Sequence, residues 1–591
     1  MEILTIAVIG VLVVVLVNTA APKLGVAAPL LLLALGVGAS FLPFASEFTG
    51  VDPEWILGGI LPPLLYSTAV NTPIMEFRRD FRTISTFSVI LVIATAVIIG
   101  FLMTWLVPGL PLPLGIALGA ILSPTDAVAT SIVRRAGVSN RIVTVLEGEA
   151  MLNDASALVL LRSAVAAAAA SVTLWEIALD FVYAVVVAVA VGWIVGQLNV
   201  WIRKRIHQEI PSVAMAIVIP FVAYIPCEHL NASGLVAAVV AGLVYGHHSA
   251  QKIDASVRLH EESVWRVIEL LLESMVFLLM GLQLTQHIGQ LHYAQRTLWE
   301  AVWLGAIAAT VIILVRGIFV AFSIWRLSII YRRHPHLRER LSELQQKLDD
   351  FDTEDITQYP HYQEALARGM HPAAQAARVN QVKKKLKRRI NDLDYLAAER
   401  FNWKDGTVLV WAGMRGAVTL AAAQSLPFDI EYRPLLVTTA FIVAGGTLVL
   451  QGGLLPFLTR RLKVSGAPTD IRDQQMTDLR AELAAAAIAQ LENPDLRRAD
   501  GSEYSQGVRE SAREHILINV HLAEIDYCQS SELRAEVNEL RMALIEAQRD
   551  QLLQIRDEGQ YPSRLLNIAL KELDAEQIGT ELKNPDFEDD E

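Results

Sequence analysis

Up to about residue 460 the chain is written in apolar blocks of about 17–25 residues, several of them, such as 84–107 and 408–426, nearly free of charge. That length matches the hydrocarbon core of a bilayer, where a spanning segment must satisfy its own backbone hydrogen bonds and is therefore helical. An outer-membrane barrel is excluded, because its strands would alternate apolar and polar residues over about ten positions. A purely soluble enzyme is excluded as well. The overall composition, 53% hydrophobic and 19% charged, is close to that of ordinary globular proteins. The distribution along the chain is what constrains the fold.

The hydropathy pattern predicts about thirteen spans, at 3–20, 24–42, 54–70, 84–107, 114–133, 142–168, 173–202, 211–227, 231–246, 269–286, 297–325, 406–426 and 434–459. One alternating set of loops carries Lys23, then Arg78, Arg79 and Arg82, then Arg134, Arg135 and Arg141, then Arg203, Lys204 and Arg205, and finally Lys252, Arg258 and Arg266; the opposite set carries only Arg296 and Arg433. The positive-inside rule places the first set in the cytoplasm, with the N-terminus outside and the C-terminus inside. Residues 1–325 and 405–463 then form a transmembrane domain. Residues 326–404 form a cytoplasmic helical insert with the basic run Lys383–Arg389, and 464–591 a cytoplasmic helical tail ending in the acidic run Asp586–Glu591. The net charge of −12 resides in that tail, and nothing points to nucleic acid. Cys227 and Cys528 lie in separate regions and define no disulfide framework. Met1-Glu2-Ile3 lacks the basic opening of a signal peptide, so the first apolar block is expected to be retained as a helix.

Two spans are interrupted. The fifth breaks at Ser123-Pro124-Thr125-Asp126 and the twelfth at Gly413-Met414-Arg415-Gly416. Proline or paired glycines in mid-span release backbone groups, tolerable only where protein or a cavity satisfies them. The breaks lie seven spans apart, an odd number, so the equivalent helices run in opposite directions. An inverted repeat of spans 1–6 and 8–13 with two crossed, interrupted helices follows, and such a pair points to a transporter's midplane site.

The sixth span carries Glu149, Asn153 and Asp154. On a helix Glu149 and Asn153 lie about 40° apart and Asp154 about 140° from Glu149, so one carboxylate faces packed protein while the other faces a cavity. Arg415 is the expected partner of Glu149, since a buried guanidinium keeps its charge and requires a permanent anion. Asp126 sits where half-helix N-termini hold it ionised. Asp154 lacks a fixed countercharge, which leaves its carboxylate open to either a proton or a metal cation. Arg162 reads as snorkelling outward, with tuning of the outer funnel as the alternative, Arg316 and Asp180 as structural or near an interface, and His247 and His248 as solvated loop residues. Glu269 and Glu273, expected at the cytoplasmic start of the tenth span, are positioned to attract cations.

Gly148-Glu149-Ala150-Met151-Leu152-Asn153-Asp154-Ala155 and the two breaks resemble the cation–proton antiporter superfamily, and within it the electroneutral bacterial sodium/proton exchangers. Pro62-Pro63, Ser233-Gly234 and Gly281-Leu282 stand in supporting runs. The resemblance covers about residues 1–460. It implies a homodimer in the plasma membrane, with spans 4–6 and 11–13 as a moving core. It also implies that Asp154 is the shared carrier of monovalent cation and proton, with Thr125 and Asp126 beside it, and that Asn153 marks the electroneutral branch. No resident cofactor is implied; the tail is a candidate regulator. Many relatives have Ser at the position of Ala150 and an acidic residue at that of Ser67, which leaves the choice among sodium, potassium and lithium open. A cation channel would need a ring of carbonyls or charges that is not visible here. An intramembrane hydrolase would need a nucleophile–base pair or metal ligands, and no span carries such a signature.

Overall fold

The computed structural model describes residues 2–24, 26–42, 55–169, 174–206, 208–349, 372–464, 469–517 and 531–582. Among these the chain is all-helical. The helices are α1 (Glu2–Leu24), α2 (Ala28–Ala39), α3 (Leu61–Asn71), α4 (Ile74–Ser85) and α5 (Leu91–Leu106), followed by α6 (Leu112–Ile121), α7 (Ala127–Arg135), α8 (Asn140–Ala169), α9 (Leu174–Arg203) and α10 (Glu209–His229). Next come α11 (Gly234–Lys252), α12 (Ala255–Leu282), α13 (Leu284–Tyr293), α14 (Leu298–Asp349) and α15 (Pro372–Ala398). After them lie α16 (Trp403–Trp411), α17 (Ala417–Gln424), α18 (Arg433–Thr447) and α19 (Gly453–Leu462). Last are α20 (Thr469–Leu491), α21 (Gln506–Leu517), α22 (Ser531–Glu558) and α23 (Ser563–Glu581).

Among the described residues the apolar blocks fall mainly on helix, and seven helices are long and apolar enough to cross a membrane. The others are shorter or interrupted. A π-helical turn at Thr86–Ile90 joins α4 and α5 into one rod, Ile74–Leu106. The tenth predicted span starts earlier than its hydropathy suggests: α12 begins at Ala255, so Glu269 and Glu273 stand about four turns inside the helix rather than at its N-terminus. His247 and His248 lie inside α11, not in a loop.

The chain divides into two compact units, residues 1–324 with 402–466 and residues 325–401 with 467–591. In the first, two of the apolar clusters formed by buried side chains include residues of α8. One gathers Ile99, Leu118, Leu161, Ile312, Ala422 and Val437, from α5, α6, α8, α14, α17 and α18. The other gathers Tyr66, Ala188, Ile219, Ala237 and Trp265 from α3, α9, α10, α11 and α12, and takes Ala155 from α8. Asp154 directly precedes Ala155, on the helix that contributes to both clusters. Small residues let the backbones approach. A side chain at Gly100, Gly115 or Gly119 would strike backbone across the α5–α6 contact, and one at Gly36 or Gly281 would do the same between α2 and α12.

The second unit brings the insert and the tail, which the sequence suggested as separate pieces, into one helical body. Its core includes Leu491, Tyr504, Val508, Leu540 and Leu544. In α15, Leu386 and Ile390 are buried while Lys384, Lys385 and Arg389 are exposed. The Lys387 ammonium pairs with Glu558 at 2.7 Å, and Asn391 Nδ2 donates to the Glu558 carbonyl at 2.9 Å. Burial pushes the Glu558 carboxyl up, but hydrogen bonds from Lys387 and Gln554 outweigh it and hold the group below its ordinary range. The acidic run Asp586–Glu591 and Cys528 lie outside the described residues.

Candidate functional site

Both predicted interruptions are present. Extended backbone separates α6 from α7 and α16 from α17, and the two stretches meet: the Asp126 N–H donates to the Met414 carbonyl at 2.9 Å. One backbone donor freed by the first break is thus satisfied by a carbonyl of the second, as an interrupted helix within a bilayer requires. Asp126 is the N-cap of α7, its side chain accepting from the Val128 N–H at 3.3 Å. It also lies against Gly416, the N-cap of α17, where any added Cβ would collide with the Asp126 carboxylate. One carboxylate therefore serves two helix N-termini, the positive ends of their dipoles.

Arg415 does the converse. Its Nε donates to the Leu122 carbonyl at 2.8 Å and its Nη1 to the Gly413 carbonyl, and these carbonyls close the C-terminal ends of α6 and α16. The Arg415 N–H donates to Thr447 Oγ1 at 3.1 Å. A fixed anion thus sits at the two N-termini of the crossing and a fixed cation at the two C-termini.

The expected Glu149–Arg415 ion pair is not formed. Glu149 is bound by both terminal nitrogens of Arg316 from α14, Nη2 to Oε2 at 2.8 Å, and both side chains are buried. Arg316 Nε donates in addition to the Leu409 carbonyl at 2.9 Å. The sequence could not distinguish the two arginines, because the carbonyls that satisfy Arg415 come from the breaks themselves. Arg316 has the planar fork and the free terminal nitrogens a carboxylate takes best. The signal for Arg316 was its charge inside an apolar span.

Asn153 Nδ2 donates to the Ser123 carbonyl at 3.0 Å, fastening α8 to the first break. Asp154 is only 3% exposed, and its Oδ1 has no hydrogen-bond partner among the described residues. It lines a cavity of about 360 Å³ together with Thr125, Asp126, Ala150, Glu147, Glu269, Glu273 and Gly416. At about 30 Å³ per water the space suits a cation with part of its hydration shell. The cavity reaches the surface at Ser131, Arg134 and Arg135, all exposed, and Arg134 pairs there with Glu147. Of the predicted site residues, Thr125, Asp126 and Asp154 share this cavity. Asn153 faces the break behind it, beside Ser123, Arg316 and Arg415. Arg162 stands apart, paired with Glu228 at 2.7 Å.

Ser67, on α3, donates to the Glu269 carboxylate. The sequence offered no signal for this contact, which joins residues 202 positions apart. Among the described residues no group of His, Cys, Asp and Glu side chains is arranged to hold a metal ion as a cluster. The arrangement offers instead a buried carboxylate, Asp154, with the Thr125 hydroxyl and the Asp126 carboxylate on the same cavity, oxygen ligands suited to a hard cation.

The family model described as "Sodium/hydrogen exchanger, transmembrane" matches residues 8–343. An uncharacterised Na(+)/H(+) exchanger of Escherichia coli is 37% identical over 269 residues, 43% of this chain and 48% of that protein. A Mycobacterium tuberculosis protein of the same description is 26% identical over 572 residues, 93% of this chain and 91% of that one. The sodium, potassium, lithium and rubidium/H(+) antiporter of Bacillus subtilis is 30% identical over 270 residues, 44% of this chain and 40% of its own length. Among solved structures, the sodium proton antiporter MjNhaP1 of Methanocaldococcus jannaschii superposes with a TM-score of 0.54 at 16% identity, over 78% of this chain and 99% of that one, which establishes a shared fold. The fold, the crossed breaks and the matched model together make this chain a multi-pass membrane protein of the sodium/hydrogen exchanger family of transporters.

Proposed function

We propose that this protein is a secondary active antiporter that exchanges one monovalent cation, sodium first, for one proton by alternating access. The observation that carries this reading is Asp154: a buried carboxylate with an unpartnered oxygen, on a cavity beside two crossed helix breaks. Moving a bare carboxylate through a low-dielectric interior is costly. The core around α8 therefore crosses with Asp154 neutralised by a proton or by a cation, and not with Asp154 empty. Thr125 and Asp126 complete the cation's surroundings from the first break. Within the moving core Asn153 adds no titratable charge, Glu149 is neutralised by Arg316, Glu147 by Arg134, and Asp126 is compensated by helix N-termini, so Asp154 is the single load that moves and exchange is electroneutral; Glu269 and Glu273 stand on α12, outside that core. The exposed mouth at Arg134 and Arg135 lies on the side that loop charge assigns to the cytoplasm, which supports an inward-facing state with the N-terminus outside and the C-terminus inside. The protein acts as a homodimer in the plasma membrane, in intracellular pH and sodium homeostasis, with the second unit as a regulatory body.

A second reading, broader exchange of potassium or lithium, is favoured by Ala150. It lines the cavity without a hydroxyl, and the relative from Bacillus subtilis is named for four cations. Proteoliposomes with an imposed pH gradient, challenged in turn with sodium, potassium and lithium, separate the two. In the same assay Asp154→Asn is expected to abolish exchange while remaining folded and inserted, and acidification of the wild type is expected to raise the apparent cation KM more than it changes the maximal rate. Normal exchange by the Asn variant would remove the central claim.

A further inference from the structure

The walls of the cavity carry more negative charge than the exchange reaction uses. Asp126, Glu147, Asp154, Glu269 and Glu273 line it against two cations, Arg134 and Arg135. Most of these carboxylates are accounted for. Glu147 is paired with Arg134, Asp126 caps the helix starts, and Glu269 takes the Ser67 hydroxyl. Glu273 is different: it is half-buried and forms neither a hydrogen bond nor an ion pair among the described residues, while lying within electrostatic reach of Asp126, Glu269 and Arg135.

Its setting calls for a positive ligand. Glu269 and Glu273 are four residues apart on α12, so they stand one above the other on one face, and like charges at that spacing repel. Both nevertheless open onto the same aqueous space. Asp154 opens onto it too, with its buried Oδ1 unpartnered, which is independent evidence that a cation belongs there. A cation entering past Arg134 must shed water in stages before it reaches an aspartate that is 97% buried. A half-buried carboxylate on the same wall, within electrostatic reach of both Arg135 at the mouth and Asp126 at the crossing, lowers the cost of the first stage.

Resting on the antiport reading above, we propose that Glu273 is a second cation-holding carboxylate of this cavity, a staging position from which the transported monovalent cation passes to Asp154. Glu273 then determines the apparent affinity for the cation, whereas Asp154 carries out the exchange.

The test is sodium-driven proton flux in proteoliposomes, read with a trapped pH dye over a sodium chloride series. Glu273→Gln should raise the apparent sodium KM about three- to tenfold, the scale of one nearby charge at partly aqueous dielectric, while flux persists at saturating sodium. Glu273→Asp, which keeps the charge, should return KM towards the wild-type value. An unchanged KM in Glu273→Gln overturns the proposal; if the melting temperature falls at the same time, Glu273 serves Arg135 as a structural partner only. Loss of flux at every sodium concentration also overturns it, because a staging group is not obligatory. Should Glu273→Gln fail to fold, Glu273→Asp and the wild type in added choline chloride decide: screening by choline must raise the wild-type KM, and insensitivity overturns the proposal. Asp154→Asn is run alongside, so that exchange surviving in that variant identifies failure of the antiport reading rather than of the staging position.

Discussion

Two arginines buried within the same unit have opposite duties, and the difference lies in what each nitrogen meets. Arg316 presents its terminal fork to Glu149, while Arg415 spends its donors on carbonyls left over by the helix breaks. Removing Arg316 should leave a carboxylate buried without a countercharge. Arg316→Ala is therefore expected to destabilise the protein by about 3–5 kcal/mol, the cost typical of breaking a buried pair. Thermal unfolding of the detergent-purified protein measures it, and Glu149→Gln in the same background should recover part of the loss by neutralising the stranded acid. An Arg316→Ala protein that melts with the wild type would show that Glu149 is satisfied elsewhere. The residue types at these positions were legible in the sequence, because a charge inside an apolar span is hard to miss. Their pairing was not: Glu149 and Arg316 are 167 positions apart, and a second arginine of equal charge competed for the role.

At the scale of elements, the crossing works because each half-helix ends where its partner's break begins. Asp126 hydrogen bonds to the Met414 carbonyl through its backbone while its carboxylate sits over the start of α17. Gly416 is the residue that allows this approach. Gly416→Ala is expected to push the Asp126 carboxylate off the start of α17 and to reduce exchange severely, although only one methyl group is added. Flux measurements on folded, reconstituted protein check it; wild-type flux would mean that Asp126 has no need of that position. Proline and paired glycines announced both breaks in the sequence. The same hydropathy reading misjudged α12, whose first half is amphipathic and thus invisible to an apolar window, and so it put Glu269 and Glu273 at a helix end they do not occupy.

For the whole molecule, the consequence of a single exchangeable carboxylate is electrical. Transfer of one net charge would couple exchange to voltage by about 2.3 kcal/mol per 100 mV, whereas one-for-one exchange carries no such coupling. With liposome voltage clamped by a potassium gradient and valinomycin, the equilibrium of sodium-driven proton flux is expected not to move with potential; a shift would require a second load-bearing group. Loop charge, block length and the paired breaks specify, from sequence alone, an all-helical membrane protein, and buried charge marks Asp126 and Asp154 as candidates, because hydrophobic length and buried charge are local properties of the chain; Asn153 is marked only by the family resemblance. Which guanidinium neutralises Glu149, that Ser67 holds Glu269, that insert and tail fall in one compact unit, and that five carboxylates surround one cavity were decided only by tertiary structure. These are matters of distance between residues far apart in sequence, and a helical repeat records which way a side chain points but not what it will meet.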